Sequence, residues 1–335
     1  MPCLTVLVDG KPHRLAFEAG PSLREILEST DYRVRSACLG LGACGLCRVR
    51  LLAGEAGPVT EPERVQLGPL LADRVRLACQ CRPAADLTVE VINRAAPSDW
   101  RRPPAGLIAP ESLQWPADRP RPPDIAHPLG VAVDLGTSHL NLAVCDLASG
   151  RPLTLRFGRN PQGRYGSDVM TRLVAAQDPA VARELAAAAR AAIGAALADA
   201  ASRDGIDLGR VGRVVIVGNT AMLALLANHN HQLLLQPRQW TEPLDCTPLD
   251  SGQWAAAWGI APAAEIEAVP PLAGFVGSDL LAGLVASHVG QGAAPALLVD
   301  FGTNSEIALW TGTALWVTAA AGGPAFESGA GRCGM

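Results

Sequence analysis

Three cysteines within ten residues, Cys38, Cys44 and Cys47, spaced C-x5-C-x2-C and answered later by Leu77-Ala-Cys79-Gln-Cys81, constrain this chain more than any other feature. One loop and one return strand can aim four thiolates inward, the ligand set of a [2Fe-2S] cluster. Gly40, Gly42 and Gly45 interleave the loop, and a backbone that wraps a cluster closely often needs φ > 0, which glycine adopts without strain. A structural disulfide would need an oxidising compartment, which nothing in the sequence indicates. A zinc site would pair two C-x2-C knuckles, and only Cys44 and Cys47 form one. The run Gly40-x-Gly42-x-x-Gly45 imitates a dinucleotide fingerprint, but that motif links a buried strand to a helix, and here it is threaded with cysteines.

The chain of 335 residues is long enough for two domains with cores of their own. Apolar residues make up 49% and the net charge is −4, so no basic excess argues for a nucleic-acid partner. The start, Met-Pro-Cys-Leu-Thr-Val, has neither the charged nor the apolar region of a secretory signal. No run of about eighteen apolar residues predicts a membrane-spanning helix. Lys11 is the only lysine, which excludes the Gly-Lys-Ser/Thr loop of Walker-type nucleotide sites. Scattered thiols at Cys3, Cys145, Cys246 and Cys333 beside the cluster motif point to a reducing cytoplasm.

Residues 4–8 read as a strand, Asp9-Gly10 as a hairpin turn, and His13 to Phe17 as the returning strand. Ser22 caps a short helix, Leu23 to Glu28. Cys47 to Leu51 alternates as a half-buried strand does, and Leu87 to Ile92 supplies a closing strand. These elements and the cysteine spacing resemble the [2Fe-2S] ferredoxins of β-grasp fold, nearest the adrenodoxin-like pattern. The resemblance covers residues 1–94 and implies Cys38, Cys44, Cys47 and Cys79 as cluster ligands, with Cys81 a neighbour.

Residues 97–128 hold nine prolines, a composition of extended tethers, so 95–128 reads as a linker. A second domain, 129–335, opens at Val131-Ala-Val-Asp134-Leu-Gly136-Thr137-Ser138, and the same phrase returns at Leu297-Leu-Val-Asp300-Phe-Gly302-Thr303-Asn304. The repeat predicts two similar lobes. Between the copies, Asp178 to Ser202 predicts a long alanine-rich helix, Arg213 to Gly218 a buried strand, and Asn219-Thr220 the cap of a helix to Ala227. Residues 230–270 read as irregular.

A Gly-turn between two strands grips phosphate with backbone N–H groups and a nearby hydroxyl, and a carboxylate at the strand end holds Mg2+ through water. The blander reading of each copy is a plain hairpin turn. Two in register resemble the phosphate loops of the actin, sugar-kinase and heat-shock chaperone superfamily, an α/β, ribonuclease H-like fold. That resemblance implies Mg-ATP at Gly136, Thr137, Ser138, Gly302, Thr303 and Asn304. It gives Asp134 to Mg2+, and Asp300 to Mg2+ or to the attacking water.

Ferredoxin, linker and this ATPase type in one chain, with the phrases at Asn160-Pro-Gln, Gly218-Asn219-Thr220, Gly274-Phe-Val-Gly277-Ser-Asp279 and Ala321-Gly-Gly-Pro324, resemble the reductive activators of corrinoid proteins. The resemblance implies a cytoplasmic iron-sulfur protein that takes one electron from an upstream donor. It delivers that electron to the corrinoid protein of a methyltransferase system, returning Co(II) to Co(I) with help from ATP. Clusters of this type sit at roughly −400 mV, the cobalt couple is expected lower still, and each roughly 59 mV uphill costs tenfold in equilibrium. Relatives continue beyond Met335 through the rest of the second lobe, so the ATPase domain is expected to be incomplete and ATP turnover by these residues alone stays open. Two other readings are a ferredoxin whose second lobe only docks a partner, and an activator of another low-potential enzyme.

Overall fold

The computed structural model describes residues 1–28, 30–35, 40–95, 100–102, 126–166, 168–302 and 304–321. Its contacts divide the chain into two units, the first made of Met1–Ala109 with Leu153–Arg156 and Ala198–Asp207, the second of the remainder.

In the first unit, β1 (Cys3–Val8) and β2 (Lys11–Ala16) form an antiparallel hairpin. Asp9 and Gly10 both take positive φ, 50° and 76°, the geometry that matches a two-residue turn to strand twist. α1 (Leu23–Glu28) starts in a capping box: Ser22 N donates to Glu25 Oε2 at 2.8 Å, and Glu25 N donates to Ser22 Oγ at 3.3 Å. β3 (Arg48–Ala53), α2 (Glu61–Leu67), β4 (Val75–Leu77) and β5 (Leu87–Val91) complete a sheet of order β2-β1-β5-β3-β4. β1 and β5 are parallel, while β3 is antiparallel to both of its neighbours. Leu4, Val6, Leu23, Leu27, Val49, Leu77 and Val89 fill the core without exposure. α2 and β4 escape sequence reading because they are short and depend on one tertiary contact. The buried Glu63 carboxylate accepts from Arg76 Nε (2.7 Å), Leu77 N (3.0 Å) and Thr60 N (2.9 Å), pinning helix to strand.

In the second part of the chain, β6 (Leu129–Leu135), β7 (His139–Asp146) and β8 (Pro152–Arg159) are followed by α3 (Val169–Ala175), α4 (Pro179–Asp204), β9 (Val211–Gly218), α5 (Thr220–Ala227), α6 (Ser251–Trp258), β10 (Glu265–Ala268) and α7 (Ser278–Ala286). The sheet order is β10-β9-β6-β7-β8, with β6 parallel to β9 and antiparallel to β7. β11 (Ala296–Phe301), β12 (Asn304–Trp310) and β13 (Leu315–Ala321) form a separate antiparallel meander.

The stretch expected to be irregular, 230–270, contains α6 and β10. Trp254 and Trp258 bury α6, and Trp258 Nε1 donates to Arg190 O at 3.0 Å on α4. Gly194 of α4 makes room for that indole, since a Cβ there would stand 2.9 Å from Trp258 Cδ1. By length and composition alone one window of α4 is apolar enough to cross a membrane, but half of that window is buried inside the fold, with Leu185, Ala189, Ile193 and Leu197 fully enclosed, as in a core helix.

The end of α4 and the middle of β8 group with the first unit. There Arg203 pairs with Glu28 (3.2 Å) and Asp199 (3.3 Å), Arg156 with Asp199 and with Asp204 (2.7 Å), and Arg102 with Asp204, all out of water. Trp100 and Arg102, near the start of the expected linker, are buried, and Arg102 N donates to Glu28 Oε1 at 2.9 Å. Residues 96–99 and 103–125 of that stretch lie outside the described residues.

Candidate functional site

The pairing of β3 with β4 builds the cysteine site. Arg48 stands opposite Leu77, and one step further Ala78 N donates to Cys47 O at 2.8 Å, so Cys47 and Cys79 arrive side by side. Both are buried, with exposures of 1% and 5%. A hydrogen bond with Cys79, then burial, then the charge of Cys79 push the Cys47 thiol far above its ordinary value. A buried thiol that resists ionisation becomes a thiolate when a metal supplies the countercharge.

Gln80 adds a donor: its Nε2 lies 2.9 Å from Gly40 O and 3.6 Å from Cys79 Sγ. Gly42, at φ +77°, lets the loop press against α2, where a Cβ would come within 2.6 Å of Pro62 Cβ. Cys44 is half-buried, and Cys38 lies outside the described residues. Among the described residues no three His, Cys, Asp or Glu side chains gather at metal-binding distance. The chemistry of the donor set nevertheless fits an iron-sulfur cluster: buried neighbouring thiols, an amide N–H near sulfur, and glycines at positive φ in the loop. Cys81 is fully buried, and burial pushes its thiol up to about 12, beside the Arg76 and Glu63 charges. Its carbonyl accepts Leu23 N (2.8 Å) while Ala78 O accepts Arg24 N (3.0 Å), which anchors the first turn of α1 to the cysteine turn.

The two repeated hairpins meet in the second unit around a cleft of about 250 Å3, lined by Asp134, Gly136, Thr137 and Ser138 from one copy and Asp300, Gly302 and Asn304 from the other. Their turns close at the glycine but over different spans: Gly136 N donates to His139 O, three residues on, and Gly302 N to Asn304 O, two residues on, each at 2.9 Å. Thr303 lies outside the described residues. Asn160 clamps the first turn from behind, with Nδ2 on Gly136 O and its N–H on Ser138 O, both at 2.8 Å. Asn219 caps α5 through Met222 N (3.0 Å) and donates to Thr137 Oγ1 (2.9 Å), so one cap residue also orients the hydroxyl at the cleft.

Asp134 faces Asn141 across the strands and accepts its amide at 3.0 Å. At the matching place in the second copy, Asp300 faces Glu306, two acids directly opposed, an arrangement that destabilises a sheet unless something relieves it. Asp279, at the start of α7, is the fourth acid in the cleft. Burial and then the charges of Asp279 and Asp300 push Glu306 up to about 7. Burial, followed by Asp134 and Asp300, takes Asp279 to about 6. Burial also raises Asp134, partly offset by Asn141. Asp134, Asp279, Asp300 and Glu306 thus line one cleft beside the two Gly-turns and raise the cost of one another's charge, although no three of them stand at metal-binding distance. Asp279 closes the phrase Gly274-Phe-Val-Gly277-Ser-Asp279, yet neither it nor Glu306 is expected as a site residue, since neither sits in one of the repeated Asp-x-Gly turns. Only the approach of α7 brings Asp279 in, and that approach requires glycine, because a Cβ on Gly277 would lie 2.3 Å from Gly218 O.

Comparison with known proteins agrees with both halves. Residues 6–84 match the 2Fe-2S iron-sulfur cluster binding domain, residues 129–291 the RACo middle region, and residues 294–335 the C-terminal domain of RACo, the ASKHA domain. Fold and site thus define an iron-sulfur ferredoxin domain joined to an actin-like, ASKHA-type domain. The chain thus carries a 2Fe-2S domain followed by the middle region and the C-terminal domain of RACo.

The corrinoid activation enzyme RamQ of Eubacterium limosum is 27% identical over 210 residues, 62% of this chain and 34% of that protein. The uncharacterized ferredoxin-like protein YfaE of Escherichia coli is 38% identical over 72 residues, 21% of this chain and 77% of that protein. A solved reductive activator for corrinoid, iron-sulfur protein has the same fold, with TM-score 0.55 at 20% identity over 100% of this chain and 65% of that one. This chain spans about a third of the curated activator and about two thirds of the solved one.

Proposed function

We propose that this chain is the electron-delivering and nucleotide-sensing part of a corrinoid activator. Cys38, Cys44, Cys47 and Cys79 hold a [2Fe-2S] cluster in the 1–94 domain, and the 129–335 domain binds Mg-ATP between its two hairpins. When bound, the cluster supplies a single low-potential electron, whose destination is the Co(II) corrinoid of a methyltransferase system. Cys47 and Cys79 fix the ligand geometry through the β3–β4 pairing, and Gln80 directs an N–H at one sulfur. The turns at Gly136–Ser138 and Gly302–Asn304 offer N–H groups to phosphate, while Asp134 and Asp300 hold Mg2+ through water and Asp279 and Glu306 add charge behind them.

The observation that carries this reading is the pairing, in one chain, of adjoining buried cysteine thiols with a four-carboxylate cleft between repeated hairpins. An electron-transfer function alone would have no use for that cleft. The test mixes the reduced, cluster-loaded chain with a Co(II) corrinoid protein and follows the Co(I) absorption band with and without Mg-ATP. Faster or more complete Co(I) formation with Mg-ATP, lost in Asp134→Ala and Asp300→Ala, is expected. Co(I) appearing equally with and without nucleotide would leave a ferredoxin with a docking lobe.

A further inference from the structure

Arg24 is a charge with no evident use in the fold. It lies in α1 and is 3% exposed, and its Nε has no hydrogen-bond partner among the described residues. The carboxylates beside it in sequence are turned elsewhere: Glu25 accepts Ser22 N and Oγ, both at 2.8 Å, and Glu28 accepts Arg203 and Arg102 N. A guanidinium stays protonated at every accessible pH, and a buried charge without an opposite one is strongly disfavoured.

Its direction identifies what it faces. A Cβ placed on Gly40 would stand 3.8 Å from both Arg24 Nε and Arg24 Nη2, so the two-pronged edge of the guanidinium is presented to the loop between Cys38 and Cys47. The backbone fixes it there, since Arg24 N donates to Ala78 O next to Cys79. A cluster held by four thiolates is an anion, and it gains a further negative charge on reduction. Net charge and hydrogen bonds near the sulfurs are among the levers that set its potential. A fixed cation at the loop favours the more negative, reduced form.

We propose that Arg24 is the counter-charge of the iron-sulfur cluster and that its guanidinium edge, held against Gly40, raises the cluster's reduction potential. The proposal rests on the cluster reading above, and the experiment separates the two. The full chain and its Arg24→Met and Arg24→Lys variants are reconstituted anaerobically with iron and sulfide, and iron content and visible absorption are read before any potential. A parent chain that takes up no cluster would remove the cluster reading itself.

With the cluster in place, Arg24→Met, similar in length but uncharged, is expected to hold roughly tenfold less reduced cluster at a fixed ambient potential, about 59 mV downward for one electron. Arg24→Lys is expected to stay within about threefold of the parent, because it keeps the charge. Arg24→Met titrating with the parent, or both variants shifting equally, would overturn the proposal. If Arg24→Met takes up no iron, normal loading of Arg24→Lys supports a role for charge, and failure of both overturns it in favour of packing.

Discussion

Cys79 and Cys81 are two residues apart and sit in different surroundings. Cys79 adjoins Cys47 and receives the Gln80 amide, whereas Cys81 lies in the apolar core beside the Glu63–Arg76 ion pair. Cys47 and Cys81 both resist ionisation, so it is the place of Cys79 beside Cys47, and not acidity, that separates Cys79 from Cys81. Cys79→Ser is therefore expected to abolish iron binding and visible absorption after anaerobic reconstitution. Cys81→Ser is expected to keep the cluster while losing stability, because a hydroxyl replaces a buried apolar group. Loss of the cluster from Cys81→Ser with retention in Cys79→Ser would reverse the assignment. The spacing of the loop made the cluster legible, but Leu77-Ala-Cys79-Gln-Cys81 alone could not say which thiol turned toward Cys47. The register of Arg48 against Leu77 decides that.

The two hairpins show what an element adds to its residues. β6–β7 and β11–β12 repeat one phrase, yet the first opposes Asp134 with an amide and the second opposes Asp300 with Glu306. Glu306 is raised from the ordinary carboxylate range to about 7, so the folded protein binds protons there that the unfolded chain has released. Stability must then fall as pH rises from about 4.3, the ordinary glutamate value, through the folded value of about 7, and level off above it. The thermal midpoint of the metal-free chain is expected to be lower at pH 8 than at pH 5.5. Mg2+ is expected to narrow that difference and Glu306→Gln to shrink it, both readable by calorimetry. A midpoint independent of pH across this window would show that the acids do not share the cleft as described.

For the whole molecule, the buried ion pairs that reach furthest along the described sequence are concentrated at one place. Glu28, Arg102, Arg156, Asp199, Arg203 and Asp204 form a buried network in the first unit. Removing one partner of a buried pair costs about 3–5 kcal/mol, whereas replacing both with apolar groups is often nearly neutral. Glu28→Leu is expected to lose stability on that scale in chemical denaturation, and Glu28→Leu with Arg203→Met to recover much of it. A single variant as stable as the parent would mean the pair is held without consequence. Trp100 and Arg102, within the stretch expected to be a linker, belong to this network.

The sequence by itself determined the local grammar: the Asp9-Gly10 turn, the Ser22 cap, the cysteine loop, the Asn219 cap and the two Asp-x-Gly turns, because each is written within a few residues whose backbone preferences act at short range. It also determined the order of the domains, through composition and repetition. Tertiary structure alone decided that Asp279 and Glu306 join Asp134 at one cleft, that Trp258 needs Gly194, that Glu28 meets Arg203, and that Arg24 faces Gly40. Those outcomes depend on which charges and volumes packing brings together across the fold, and burial then magnifies them, since a charge removed from water must find its partner wherever the chain has placed one.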